Sequence, residues 1–185
     1  MIGVVFVQFV RMMETRYGLE TTEKVFDVAD LESGGAYTSY GDYSVKEFFT
    51  LAHTLAAIVK KDPNDIFFEY GESIQMHVMT EMPTYFDEND SALEFFKKLG
   101  KENIGKSGAL PPDLELPRPE VHIVDDDNIE VIYYPREVYP PVACGVVHAI
   151  MRHYDIDAEL DQVETEVGGE ACVLFRIQRR QIKAA

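Results

Sequence analysis

Along this chain the apolar residues recur first at a spacing of about 3.6 and then, beyond residue 116, at a spacing of 2, so its two parts must be built from different secondary structure. In the first part Phe6, Phe9, Val10, Met13 and Tyr17 share one helical face, with Arg11, Glu14 and Arg16 opposite, which predicts an amphipathic helix over residues 2–17. A second helix over 21–29 follows Gly18, and the glycines of 34–41 mark a loop. Ser44 with Glu47 reads as a capping box opening a helix to about residue 60, with Val45, Phe48, Ala52, Leu55 and Val59 as its apolar stripe. Asp62-Pro63 caps the next helix, 64–81, whose interior Gly71 costs about 1 kcal/mol relative to alanine and so signals close packing. Ser91 with Glu94 opens a fifth helix that should run to about residue 104, where Gly105 and Gly108 end it.

After Leu116 the pattern alternates. Val121 and Ile123 precede the acidic turn 125–128, and Ile129, Val131 and Tyr133 follow it, which predicts a hairpin ended by Pro135. Pro140-Pro141 starts a long helix through residue 154 that is apolar on most faces and therefore buried. Residues 158–166 and 171–177 flank Gly168-Gly169 as a second hairpin. This order is that of an α+β domain, an amino-terminal helical half packed on a carboxy-terminal half made of a four-stranded antiparallel sheet and one long helix. With 185 residues the chain reads as one domain, a helical subdomain over about 1–62 and a helix-plus-sheet subdomain over about 63–185.

Charge narrows the partners. Against 17 basic side chains stand 33 acidic ones, and a net charge of −16 repels phosphate backbones and anionic lipid, so neither nucleic acid nor membrane is expected. No apolar run approaches the roughly 18 residues of a spanning helix, and the first ten residues lack a basic leader. Only two cysteines occur, Cys144 and Cys172, and a core of this size needs no disulfide, which points to a reducing cytoplasm and free thiols.

Catalytic signatures are missing: there is no glycine-rich phosphate loop, nucleophile elbow or zinc-binding HExxH helix. Cys144 and His148 share a helix face at i, i+4 and could serve as half of a metal site or a thiol dyad, but two ligands do not make a site, and a buried cysteine beside a packed histidine is the plainer reading. The acidic turn lacks the alternating ligands of a calcium loop. From the residues alone the chain reads as an acidic α+β domain with no named function, and a thiol or metal enzyme built on Cys144 and His148 ranks last among its readings.

Several segments in order resemble the heme nitric oxide/oxygen-binding (H-NOX) family, the gas-sensor domains related to the sensory part of soluble guanylate cyclase. They are the opening Met-Ile-Gly-Val-Val-Phe with Tyr17-Gly18-Leu19, Gly34-Gly35-Ala36-Tyr37-Thr38, Pro83-Thr84-Tyr85-Phe86 before Phe95-Phe96, Leu116-Pro117, Gly145-Val146-Val147, and the closing run from Cys172 to Ile177. The resemblance implies a pocket between the helical and sheet halves. Val5 and Pro117 correspond to positions that press on the heme plane, Phe9, Val78 and Val142 to the distal wall, and Leu99 lies in the same pocket. All six are equally compatible with plain core.

In the family one histidine on the fifth helix holds the iron. Its position falls here on Asn103 or Ile104, and neither side chain supplies an imidazole. The family's Tyr-x-Ser-x-Arg grip on the propionates reads Tyr133-Tyr134-Pro135-Arg136-Glu137, so the tyrosine is kept, Pro135 replaces the serine and Glu137 reverses the arginine's charge. The resemblance therefore implies a heme-free signalling domain, with no cofactor, acting through an apolar ligand in the old cavity or through a partner such as a histidine kinase or diguanylate cyclase. One alternative is a heme b sensor with His77 or His122 as a relocated ligand, which would favour nitric oxide because no polar tyrosine stands near Val142. Another is a carrier or a degenerate structural module.

Overall fold

A computed structural model of the chain describes residues 1, 3–81, 91–99, 119–135 and 138–180. Its elements are α1 (Gly3–Tyr17), α2 (Leu19–Val28), α3 (Val45–Val59), α4 (Pro63–Glu81), α5 (Ala92–Leu99), β1 (Glu120–Ile123), β2 (Asn128–Tyr133), α6 (Pro140–His153), β3 (Ala158–Val167) and β4 (Glu170–Arg179). The order of helices and hairpins follows the change of period, and the domain is α+β with one four-stranded antiparallel sheet in the order β1-β2-β4-β3.

Local chemistry explains the element ends. Gly18, at φ 84, lets the chain break between α1 and α2. Asp62 accepts from the Asn64 amide at 2.8 Å, capping α4. Ser91 and Glu94 form a reciprocal capping box on α5, the Ser91 amide donating to the Glu94 carboxylate at 3.1 Å and the Glu94 amide to the Ser91 hydroxyl at 3.2 Å. Residues 100–104, where that helix was expected to end, lie outside the described residues. β2 stops at Tyr133, two residues ahead of Pro135, and Asp125 accepts from the Asp127 amide and the Asn128 side chain, so the acidic segment is a self-bonded turn. Gly168 and Gly169 take φ 61 and 85 in the turn between β3 and β4, a conformation that side chains other than glycine rarely adopt.

Two expectations about α3 are corrected. Val45 faces solvent, and the buried stripe runs instead through Phe48, Leu51, Ala52, Leu55 and Ala56. Ser44 does cap the helix by accepting from the Lys46 amide at 3.2 Å, but Glu47 does not reach back to it. Its carboxylate is buried and accepts from the hydroxyls of Tyr37, at 2.6 Å, and Ser33. Two hydroxyl donors from the loop that passes over α3 satisfy it better than water and the helix end could.

The apolar side chains form two main cores. One gathers Phe6, Phe9 and Met13 of α1, Phe48 and Leu51 of α3, and Ile66, Phe67 and Tyr70 of α4. The other gathers Val78 of α4, Phe95, Phe96 and Leu99 of α5, Val131 and Tyr133 of β2, Val147 and Ile150 of α6, and Phe175 and Ile177 of β4. Each such side chain contributes roughly 1.5–3 kcal/mol by leaving water. α4 runs through both cores, and Ile74 and Val138 pack against both.

Candidate functional site

The pocket residues expected from sequence sort onto the two cores. Phe9 is fully buried in the first, its ring 5.2 Å from Phe48 and 5.3 Å from Tyr70, both edge-on. Val5 is partly buried beside it, and its carbonyl accepts from the Tyr70 hydroxyl at 2.8 Å, tying α4 to the start of α1. Val142 belongs to the first core, whereas Val78, Leu99 and Tyr133 belong to the second. α4 and the start of α6 thus carry residues of both cores. Tyr133 sits 6.1 Å from the Phe175 ring, and burial pushes its phenol well above the usual range, so it stays protonated. Pro135 is exposed; Asn103, Ile104, Pro117, Arg136 and Glu137 lie outside the described residues.

α4 and α6 cross with their backbones in contact. A β-carbon on Gly71 would lie 2.1 Å from the Val142 carbonyl oxygen, and one on Gly145 would lie 2.0 Å from that of Phe68. Glycine at both places is what allows α4, which runs through both cores, to lie against α6. The sequence marked Gly71 as a point of close packing; the partner is α6.

Beside this crossing lies an ionic cluster that sequence reasoning did not find. Glu69 and Glu72 on α4 are both buried. Glu69 receives the Tyr17 hydroxyl and, at 2.5 Å, the Lys61 ammonium, with the Arg16 guanidinium 3.6 Å away. Glu72 receives Arg16 at 3.2 Å, faces Nδ1 of His148 at 3.0 Å and lies 3.4 Å from Arg152. One carboxylate thus bonds side chains of α1 and α6 at once. Burial and the bond to Glu69 raise the Tyr17 phenol, and that same carboxylate raises the Lys61 ammonium. The only local hint was a pair of acidic residues three apart on an otherwise apolar helix face.

The histidines and cysteines are all among the described residues. None of the five histidines is buried: His53, His122, His148 and His153 are exposed and His77 is half-buried. His122 lies on β1 between Val121 and Ile123, which pack on the second core, so it points to the opposite face of the sheet. It sits 3.8 Å from Glu120 there. His77 adjoins Val78 on α4 and is the only one of the two candidate iron ligands near the walls. His148 bonds Glu72, and the thiol of Cys144 is pushed up by burial, so a reactive thiol dyad is not assembled. Both cysteines are free thiols, and among the described residues no three His, Cys, Asp or Glu side chains are placed to hold a metal ion.

A helical layer joined through α4 and α6 to a sheet backed by one long helix is the H-NOX fold. The chain superposes on the Fe(II) unliganded H-NOX protein from K. algicida with a TM-score of 0.79 at 22% identity over all of both chains, and on a point mutant of that protein with a TM-score of 0.80 at 24% identity, covering 99% of this chain and 98% of that one. A mutant of T. tengcongensis H-NOX matches with a TM-score of 0.78 at 17% identity, covering 98% of each chain. At such identities the likeness speaks for the fold alone. The Haem-NO-binding family model matches residues 2–162, and the chain belongs to that family. No curated protein matches it. Among the described residues no helix is long and apolar enough to cross a membrane.

Proposed function

We propose that this member of the Haem-NO-binding family is a heme-free, non-enzymatic signalling domain, acting through a partner protein or an apolar ligand held between its two cores. The observation that carries the reading is that four of the five histidines are exposed and His122 points to the face of the sheet opposite the second core, which leaves half-buried His77 as the one imidazole beside that core. The exchange of the family's serine and arginine for Pro135 and Glu137 removes the attraction for propionates as well. Histidine kinases and diguanylate cyclases are the partner classes to test first, and a reducing cytoplasm is the compartment that suits two free thiols.

The rival reading, a nitric oxide sensor with a relocated ligand, is favoured by one observation, the place of half-buried His77 next to Val78. Absorption titration of the purified protein with hemin, oxidised and reduced, with and without nitric oxide, separates the two. Weak binding that does not saturate, unchanged in His77→Ala, is the expected result. A sharp Soret band saturating at one equivalent and lost in His77→Ala would overturn the heme-free reading.

A further inference from the structure

A pocket opens at the edge of the second core, at the end of the sheet where β1 turns into β2. It measures about 200 Å³, below the roughly 300–1,000 Å³ of sites for drug-sized molecules, so its occupant must be small. Its floor is aliphatic: Ile129 of β2 and Ile177 of β4 are buried neighbours across the sheet, and Ile156 and Leu93 close the sides from the α6–β3 connection and the first turn of α5. Two opposite charges, Asp126 and Arg179, line the same pocket.

Neither charge is spent on an ion pair among the described residues. The Arg179 amide donates to the Asp127 carbonyl at 2.9 Å, fixing the end of β4 against the acidic turn. Its guanidinium makes no ion pair among the described residues, while neighbouring Arg180 faces Asp157 at 3.6 Å and Glu159 at 3.7 Å. Within the turn Asp125 takes the structural bonds, from the Asp127 amide and the Asn128 side chain, and the Asp126 carboxylate has no part in them. An aliphatic floor between one cation and one anion calls for a ligand with both charges and a branched hydrocarbon tail. A plain carboxylate would meet Asp126 and the field of a chain of net charge −16, and a plain amine would meet Arg179, whereas a zwitterion satisfies both and carries no net charge.

We propose that this pocket binds a free branched-chain aliphatic α-amino acid, its carboxylate on Arg179, its ammonium on Asp126 and its side chain against Ile129, Ile156 and Ile177. The site is independent of heme and of the proposed signalling reading. The test is methyl NMR of the full chain titrated with L-leucine, with 4-methylpentanoate and isopentylamine as probes lacking one charge each. Leucine should shift the Ile129 and Ile177 methyl signals saturably in the millimolar range or below. Each single-charge analogue should bind about ten-fold or more weakly, as should leucine to Arg179→Gln or Asp126→Asn, the loss expected for one charge-assisted contact. Both substituted side chains are exposed, and an unchanged thermal unfolding midpoint checks that the variants fold. No saturable shift with leucine, shifts confined to other methyls, or equal binding by an analogue or a variant would overturn the proposal.

Discussion

The thiol of Cys144 is half-buried on α6, and with its pKa raised above the usual range it is a poor nucleophile. At pH 8 iodoacetamide should therefore label it several-fold more slowly in the folded protein than in urea, as read by the mass of the labelled peptide. Equal rates in the two states would show that the thiol is activated. The residue one turn on, His148, is committed to Glu72 instead. Single residues are where the sequence misleads most. Ser44 and Glu47 carry the same capping pattern as Ser91 and Glu94, yet only the second pair bonds reciprocally. What separates them is Tyr37 and Ser33, whose hydroxyls claim Glu47 after the loop has folded over α3. Nothing within a helical turn of Glu47 announces them.

Among elements, the crossing of α4 and α6 is the most tightly determined contact. A methyl group added at Gly145 would meet the Phe68 carbonyl at 2.0 Å and the Glu72 amide nitrogen at 2.9 Å, both backbone atoms that cannot turn aside. Gly145→Ala should lower stability by about 2–3 kcal/mol, the scale of overpacking in a close-fitted contact, measured as a lower urea midpoint. An unchanged midpoint would mean that the helices part easily. The same substitution displaces the backbone beside Glu72, so its bonds to Arg16 of α1 and His148 of α6 should loosen as well. Helix and strand positions were legible because periodicity, caps and turns act within a few residues. Strand order was not, since β2 pairs with β4 across the whole of α6 and β3.

For the molecule as a whole, buried and half-buried phenols set a limit at high pH. Tyr17, Tyr37, Tyr70 and Tyr133 all have raised pKa values, burial being the first cause in each. Above the unperturbed value of 10.0 the unfolded chain releases protons that the folded chain keeps. Their contribution is fully present below about pH 10 and is lost as the pH rises beyond it. Urea midpoints should fall between about pH 9 and about pH 11. The fall should persist in high salt, which screens the repulsion of a chain of net charge −16 but not the desolvation of a phenol. A fall abolished by salt would assign it to surface repulsion.

By itself the sequence determined the α+β order of elements, the turns and most caps, because each is written in residue identity or in spacing along a few neighbours. Only the tertiary structure decided that Glu69 and Glu72 are buried and paired, that Gly71 meets Val142 and Gly145 meets Phe68, that His122 faces away from both cores, and that Asp126 and Arg179 share one pocket. These depend on side chains dozens of residues apart arriving at one place, and hydrophobic packing, which brings them there, leaves no local mark on the sequence.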